Sequence, residues 1–373
     1  MKETEKIAIF LPNLKVGGAE RISINLLNGL MRRGYVIDLI LASAEGALLV
    51  DLPPKVNVVD LKAARIRNGL FPLVAYLRRA RPSVVIACMW PLTIVALAAR
   101  KLAGASTRVI VAEHATWSTA EEVVKSALYR WQVCASMHYA YTGANGIIAV
   151  SQGAGDDLCR FAGLDRSAVT IIYNPVVAAP EPKPAPCGPL SPTGWWTGGH
   201  RRVLAVGTLK PVKDYGTLLE AFMQLRRNVD ARLLILGDGE CRGALEARAE
   251  SLGVKASVFM PGYVTDPSPY YEHADLHVLS SKSEALPTVI IEALAAGLPV
   301  VSTDCLSGPR EILRDGELGK LVPVGDATAM AIAMSESLAA PPDRSALIAR
   351  AQDFSVEQAV DAYEKMLRSA RPR

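Results

Sequence analysis

The sequence has no closely paired cysteines and little net charge, which argues against several classes of protein. Its six cysteines are scattered and form no C-x-x-C pair, which is typical of core thiols in a reducing compartment rather than of disulfides or a zinc site. The formal net charge of +4 is small for 373 residues. Neither nucleic-acid binding nor an acidic disordered tail is therefore indicated for the chain as a whole.

Long apolar segments are also missing. The N-terminus, MKETEKIAIFLPN, carries charges and then only a short apolar run before Pro12, less than the roughly 7–15 apolar residues of a signal peptide. The longest apolar run, 84–99, is interrupted by Pro91 and is shorter than the roughly 20 residues that span a bilayer. We therefore expect a cytoplasmic protein.

Short β-branched runs alternate with amphipathic stretches, which predicts βα units around parallel sheets. The first series of predicted strands is KIAIFLP, VIDLILA, SVVIACM, RVIVAE, GIIAV and VTIIY, and the second is RRVLAVG, ARLLILG, SVFMPG, ADLHVLS, PVVST and GKLVP. A Pro- and Gly-rich segment, 176–200, separates the two series and is predicted to be a linker. The chain is therefore expected to form two doubly wound α/β domains, 1–175 plus 354–373 and 201–353. The last helix, with an apolar face, returns to the first of them.

The net charge differs between the N-terminal and the C-terminal half of the sequence. Residues 1–175 carry 20 Lys and Arg against 13 Asp and Glu, whereas the rest carries 21 against 24. Much of the excess lies between residues 62 and 81, around an apolar patch. The basic residues of this patch that we assign to an acceptor or to an anionic membrane are Arg65, Arg67, Arg78 and Arg79. A solvated surface is the alternative interpretation.

Ligands of open α/β sheets bind beyond the carboxyl ends of the strands, so three strand-to-helix turns are candidate sites. In the first, Gly17 and Gly18 precede a helix and leave room for a phosphate at its N-terminus. In the second, Gly207 closes a strand, and Lys210 and Lys213 follow in the loop, where two cations can neutralise a diphosphate. Each turn alone is also compatible with a simple polar loop.

The third turn, SKSEALPTVIIEALAAG, places two carboxylates eight positions apart around the start of a helix. Glu284 lies in the loop, and Glu292 lies one turn into the helix after Thr288. Backbone N–H groups between them can hold a diphosphate. They belong to the residues from Leu286 to Val289, apart from Pro287, which has no N–H. The spacing therefore fits a nucleotide sugar, with Glu292 on ribose hydroxyls and Glu284 on sugar hydroxyls.

Taken in order, these motifs resemble those of retaining glycosyltransferase family 4, which has the GT-B architecture. The resemblance rests on GGAE at 17–20, V-G-x-L-x-x-x-K at 206–213, E-x7-E at 284–292 and SGPREIL with DGELGKLVPVGD at 307–326, and it covers nearly the whole chain. It implies two Rossmann-like domains facing a cleft. Donor nucleotide is expected on the C-terminal domain and acceptor on the N-terminal one.

The resemblance also implies residue roles. His114, Glu284 and Lys213 are the expected catalytic residues, and the donor contacts extend to Thr208, Gly262 and Val264. Thr208 stands where many members have arginine, which shifts the diphosphate contact toward Lys213 and Lys210. No D-x-D motif occurs, so no metal and no cofactor are expected.

The expected reaction is metal-independent front-face transfer from a nucleotide diphosphate sugar, with UDP as the carrier, to a lipid-linked or glycan acceptor. The enzyme is expected to be cytoplasmic, with peripheral contact on the inner face of the plasma membrane. A sugar-nucleotide 2-epimerase of similar fold and a catalytically silent nucleotide-sugar or lipid-binding protein are the alternatives. No nucleic-acid partner is expected.

Overall fold

The computed structural model describes residues 5–15, 17–177 and 198–369. The predicted linker, 176–200, falls largely outside these ranges, as does the end of the predicted segment 354–373. The chain divides into two compact units, which are residues 1–178 with 355–373, and residues 179–354.

The first unit is built on a seven-stranded parallel sheet in the order β3-β2-β1-β4-β5-β6-β7. Its strands are β1 (Lys6–Leu11), β2 (Val36–Leu41), β3 (Asn57–Asp60), β4 (Val84–Cys88), β5 (Arg108–Glu113), β6 (Gly146–Ala149) and β7 (Val169–Ile171). The helices are α1 (Gly18–Arg32), α2 (Leu70–Ala80), α3 (Leu92–Ala103), α4 (Glu121–Lys125), α5 (Ala127–Tyr141) and α6 (Gln152–Ala162). The six predicted strands of this half are all present, and β3 is an additional edge strand.

The second unit contains a six-stranded parallel sheet in the order β10-β9-β8-β11-β12-β13. Its strands are β8 (Arg201–Val206), β9 (Ala231–Leu236), β10 (Val258–Gly262), β11 (Leu276–Leu279), β12 (Val300–Thr303) and β13 (Lys320–Val322). The helices are α7 (Tyr215–Leu225), α8 (Arg242–Ser251), α9 (Ser268–His273), α10 (Thr288–Ala295), α11 (Pro309–Ile312), α12 (Ala327–Ala339) and α13 (Arg344–Ala351).

The final helix, α14 (Val356–Ser369), belongs to the first unit. Its apolar residues join the core on one face of the first sheet, together with α1. Contact between the two helices is close, since a Cβ atom at Gly29 of α1 would lie 2.5 Å from a methyl carbon of Val360. Arg33, directly after α1, also pairs with Asp361 at 2.5 Å. A residue larger than glycine at position 29 would push α14 outward.

In each sheet the chain reverses its winding direction at one pair of neighbouring strands. These pairs are β1 and β4 in the first unit and β8 and β11 in the second. The loops at the carboxyl ends of such a pair diverge and leave a crevice, which is where open α/β sheets bind ligands. We call these two places the first and the second switch point.

Candidate active site

The second switch point contains a close ion pair. Lys213, in the loop after β8, places its Nζ atom 2.6 Å from Oε1 of Glu284, in the loop after β11. The side chains are only 20% and 12% exposed, so water screens the pair less than it screens a surface pair. The structure thus joins two of the three predicted catalytic residues, although they are 71 positions apart in the sequence.

Glycine allows the backbone to turn tightly beneath this pair. Gly207 has φ of +154°, and a Cβ atom there would lie 2.9 Å from the Tyr215 hydroxyl. Gly237, after β9, has φ of +140°, and a Cβ atom there would lie 2.0 Å from the Gly207 carbonyl oxygen. A side chain at either position would separate the loops, which explains why both are glycine.

Tyr215 lies beneath the loop that carries Lys213, with its side chain buried. Burial raises the pKa of Tyr215 well above its ordinary value, and the negative charge of Glu284 raises that pKa further. The phenol therefore stays protonated at all physiological pH values and contributes no charge to the site.

The helix after Glu284 begins as the sequence predicts. α10 starts at Thr288, with Pro287 at its N-cap position, and Leu286 and Pro287 are buried. The preceding loop is held by Ser307, whose Oγ donates to the Ala285 carbonyl oxygen over 2.9 Å. The N–H groups of Thr288 and Val289 lie in the first turn of α10, where N–H groups have no partner within the helix, and the fixed loop sets their position.

The second predicted carboxylate, Glu292, lies in the middle of α10. Its Oε2 atom accepts a hydrogen bond of 2.9 Å from the hydroxyl of Tyr271, a buried residue of α9. No motif indicated this tyrosine, because it lies 21 positions earlier and on another helix.

The other predicted donor residues of this unit lie around the same edge of the sheet. Thr208 and Lys210 are exposed in the loop that carries Lys213. Gly262 ends the edge strand β10 and Val264 follows it, two strands away from β8 and so roughly 10 Å across the sheet. Gly262 lies beside the loop after β9, where the Gly237 N–H donates to the Gly262 carbonyl oxygen over 2.9 Å.

The first switch point carries His114, the third predicted catalytic residue, directly after β5. Both ring nitrogens are shielded from solvent, and the Asn174 side chain faces the ring. Burial lowers the pKa of His114 to about 4, so the imidazole is neutral at pH 7. A neutral imidazole can donate or accept a hydrogen bond, but it cannot supply a positive charge.

Gly17 and Gly18 lie at the start of α1, after β1. Gly17 is the N-cap residue, and a Cβ atom there would lie 2.2 Å from a carboxylate oxygen of Glu20. A Cβ atom at Gly18 would meet no heavy atom within 4 Å. The Glu20 side chain can move away from such an atom, so packing does not require glycine at position 17, and the backbone at Gly18 is open to a ligand.

Next to His114 lies a buried carboxyl group that sequence reasoning did not identify. Glu113, the last residue of β5, accepts a short hydrogen bond from the Tyr141 hydroxyl, and Thr93 Oγ1 lies 2.9 Å from the same hydroxyl. The Trp117 indole and the main chain of Trp90 also face this carboxyl group. Burial raises the pKa of Glu113 to about 7, against these hydrogen bonds, which lower it.

The four predicted basic residues are not gathered in one place. Arg65 and Arg67 follow β3 and lie at the carboxyl edge of the first sheet, where α2 begins. Arg78 and Arg79 lie in the last turn of α2, roughly 15 Å away along the helix. Arg78 donates to the Leu102 carbonyl oxygen over 2.9 Å and so caps α3.

Exposed apolar side chains form a second feature of the first unit that the sequence reasoning missed. Val124 of α4 and Leu128 and Trp131 of α5 are each more than 60% exposed. Leu128 and Trp131 lie in the first turns of α5 and three positions apart, hence on one face. Lys125 and Arg130 are exposed beside them.

No helix in the described part of the chain is long and apolar enough to cross a membrane. Within residues 5–15, 17–177 and 198–369, no group of three or more His, Cys, Asp or Glu side chains has the arrangement of a metal site.

The comparison with known families is decisive. The profile of the family "Glycosyltransferase Family 4" matches residues 16–179, and that of "Glycosyl transferases group 1" matches residues 196–354. The chain is a glycosyltransferase of family 4. The two matched segments correspond to the two units, so the resemblance seen in the motifs is confirmed over most of the chain.

Relatives of this glycosyltransferase act in glycan biosynthesis. The lipopolysaccharide core biosynthesis glycosyltransferase LpsE of Rhizobium meliloti is 38% identical over 172 residues, which are 45% of this chain and 49% of that protein. A Campylobacter jejuni enzyme, GalNAc-alpha-(1->4)-GalNAc-alpha-(1->3)-diNAcBac-PP-undecaprenol alpha-1,4-N-acetyl-D-galactosaminyltransferase, is 26% identical over 97% of this chain and 98% of its own length.

Solved structures confirm the GT-B fold of this glycosyltransferase. The structure of Anabaena Alr3699/HepE in complex with UDP and glucose superimposes with a TM-score of 0.79 at 20% sequence identity. The superposition covers 98% of this chain and 100% of that chain. Both doubly wound domains are thus shared.

Proposed function

We propose that this glycosyltransferase moves a sugar from a UDP-sugar to a lipid-linked glycan with retention of the anomeric configuration. The observation that carries the proposal is the Lys213–Glu284 pair at the second switch point, with a distance of 2.6 Å and little exposure to water. A cation and a carboxylate at this place match the two halves of the donor. Lys213 faces its diphosphate, and Glu284 faces its sugar.

The proposed chemistry follows the front-face route implied by family membership. The bond between the sugar C1 and the phosphate oxygen breaks, and the acceptor oxygen bonds to C1 on the same face. The acceptor proton passes to the leaving phosphate oxygen, so no protein base is required. Lys213 and the N–H groups of the first turn of α10 stabilise the charge that gathers on the diphosphate.

The remaining donor contacts complete this assignment. Glu292 binds the ribose hydroxyls, and Gly207, Thr208, Lys210, Gly262 and Val264 line the carboxyl edge of the second sheet. We propose that no metal takes part, because Lys213 and the α10 N-terminus supply the positive potential and the chain has no D-x-D motif. In the first unit, His114 acts in its neutral form, as a hydrogen-bonding group toward the sugar.

The choice of UDP and of a lipid-linked acceptor rests on the relatives. Anabaena Alr3699/HepE was solved with UDP-glucose, and the Campylobacter relative is named for a diphospho-undecaprenol acceptor. The Rhizobium relative is named for the lipopolysaccharide core. An acceptor of this kind is anchored in a membrane, and we propose that the reaction takes place at the cytoplasmic face of the plasma membrane.

Two surface features of the first unit support peripheral membrane contact. Exposed Val124, Leu128 and Trp131 offer apolar groups that can enter the headgroup region. Arg65 and Arg67 lie at the carboxyl edge of the same sheet and offer charges that attract anionic lipid.

The proposal is tested by offering the purified chain a set of nucleoside diphosphate sugars together with lipid-linked acceptors, with mass spectrometry of the products. Transfer from a UDP-sugar to a polyprenyl-diphosphate-linked glycan is expected, with an α-linkage retained from an α-configured donor and no loss of activity in a chelator. A product of inverted configuration, or dependence on a divalent cation, would contradict the mechanism. Conversion of the donor sugar without acceptor would indicate an epimerase, and binding without turnover would indicate a silent binding protein.

A further inference from the structure

Two consecutive serines directly follow β11 at the second switch point. Ser280 and Ser281 are at most 1% exposed, although serine is mostly found at protein surfaces. A buried hydroxyl group needs a hydrogen-bond partner to offset its loss of water. The partners of these two hydroxyl groups are the two residues of the ion pair.

Ser281 bonds to the carboxylate itself. Its Oγ atom donates to Oε1 of Glu284 over 2.6 Å, and this is the same oxygen that Lys213 Nζ approaches at 2.6 Å. The terminal torsion of a glutamate side chain has broad, shallow minima, so a carboxylate rotates easily unless it is held. Two donors on one oxygen hold it in a single orientation.

Ser280 bonds to the other partner. Its Oγ atom donates to the main-chain carbonyl oxygen of Lys213 over 2.7 Å, which fixes the loop after β8 to the end of β11. Thr303 of β12 in turn donates to the Ser281 carbonyl oxygen over 2.6 Å. The start of the loop that carries both serines is therefore itself fixed to β12, the neighbouring strand of the sheet.

We propose that Ser281 is a positioning residue for Glu284, and that Ser280 does the same for Lys213. The inference rests on the proposed function, in which Glu284 contacts the reacting sugar. Ser281 does not touch the substrate. It determines which carboxylate oxygen remains with Lys213 and thereby how the carboxylate is presented to the donor sugar.

The principal test is Ser281→Ala, assayed with the donor and acceptor that the unmodified enzyme uses. We expect kcat to fall about tenfold, the loss typical of one hydrogen bond to a charged group, with little change in the donor KM. Ser281→Thr keeps the hydroxyl group and should restore part of kcat. Ser281→Cys keeps the volume with a weak donor and should behave like Ser281→Ala, which guards against a fold defect in the alanine variant.

Ser302→Ala is the matched control. Ser302 is equally buried, in β12, and its Oγ donates to the main-chain carbonyl oxygen of Thr303. The Ser302→Ala variant should have its melting temperature lowered about as much as Ser281→Ala, while its kcat stays unchanged. An equal fall of kcat in both variants would show that only packing was disturbed, and the positioning role would be wrong.

A double-mutant cycle decides whether Ser281 acts through Glu284. In a Glu284→Gln background, the additional change Ser281→Ala should alter kcat less than twofold, because the group to be positioned has changed. A full tenfold effect in that background would overturn the proposal. For Ser280→Ala we expect a rise in the donor KM as well, since Lys213 contacts the diphosphate in both ground and transition states.

Failure of the positioning role is distinguishable from failure of the proposed function. If the unmodified enzyme transfers no sugar from any nucleoside diphosphate donor, the proposed function is wrong. The positioning role is then tested by crystal structures of the unliganded chain and of Ser281→Ala. The proposal expects the Glu284 carboxylate to rotate and Lys213 to move from it in the variant, and an unchanged pair would overturn it.

Discussion

The two switch points differ in the charge of their side chains. At the second, Lys213 and Glu284 form an ion pair with 2.6 Å between Nζ and Oε1. At the first, burial lowers the pKa of His114 to about 4 and raises the pKa of Glu113 to about 7, so both groups tend toward their neutral forms. The same fold thus has an ion pair at one switch point and buried, hydrogen-bonding groups at the other.

The largest expected effect comes from neutralising the charged site. Glu284→Gln removes the carboxylate that we propose to face the donor sugar, and we expect kcat to fall by 100-fold or more while the donor KM changes severalfold at most. Steady-state kinetics with varied donor measures both parameters. A rise in KM with kcat unchanged would mean that Glu284 serves binding only.

The control for this change is Glu336→Gln. Glu336 also pairs with a lysine, Lys320, at 3.1 Å in the same unit, but both side chains are more than half exposed. Its loss should leave both kinetic parameters unchanged, because exposed pairs contribute little.

Both sheets and the loops of the second switch point could be predicted from the sequence. The alternation of βα units predicted both sheets, and the motifs at 206–213 and 284–292 predicted which loops meet. The edge strand β3 was missed because NVVD is short and largely exposed, which leaves no apolar pattern to read.

Tertiary contacts that depend on side-chain orientation were not accessible. Glu113 reads as the polar end of an apolar strand, and nothing in the sequence indicates that Tyr141, 28 positions later, bonds to it. Likewise the spacing of Ser281 and Glu284 does not reveal which carboxylate oxygen the hydroxyl group approaches.

The neutral site is tested by the pH dependence of stability. Glu113 has a folded pKa of about 7 against an ordinary value of 4.5, so the folded protein binds its proton more tightly than the unfolded chain does. Its contribution is therefore fully present below pH 4.5 and is lost as the pH rises through 7, by roughly 3 kcal/mol at most. His114 has the opposite slope between about pH 4 and 6.5, because its folded pKa is lowered.

The two slopes are separated by Glu113→Gln. The difference in unfolding free energy between this variant and the unmodified protein removes the His114 contribution, which both share. We expect the variant to gain relative stability as the pH rises from about 4.5 to 7, measured by denaturant unfolding at a series of pH values. A difference that is constant with pH would show that Glu113 ionises normally.

A smaller effect is expected from the ribose side of the charged site. Glu292→Gln should raise the donor KM about tenfold with kcat little changed, the loss of a hydrogen bond to a charged group. Tyr271→Phe should cause a smaller rise in the same direction, because Tyr271 donates to Glu292 over 2.9 Å. With a donor that carries 2′-deoxyribose, both changes should have less effect, and full effects there would exclude a ribose contact.

The smallest expected effect concerns the basic surface of the first unit, where the structure divides the four arginines into two pairs. The exposed apolar side chains of α4 and α5 lie in helices that follow β5. The first turns of these helices therefore lie at the carboxyl edge of the sheet, as do Arg65 and Arg67. Arg78 instead donates a hydrogen bond to a carbonyl oxygen at the end of α3.

We therefore expect Arg65→Gln with Arg67→Gln to weaken binding to vesicles containing anionic lipid, by about 1 kcal/mol per residue, and more at low salt than at high salt. Arg78→Gln with Arg79→Gln is the matched control of equal charge and should bind as the unmodified protein does in sedimentation with the same vesicles. Equal losses for the two pairs would mean that the long side of α2 faces the membrane rather than the carboxyl edge. Unchanged binding in both would show that none of the four arginines contacts lipid.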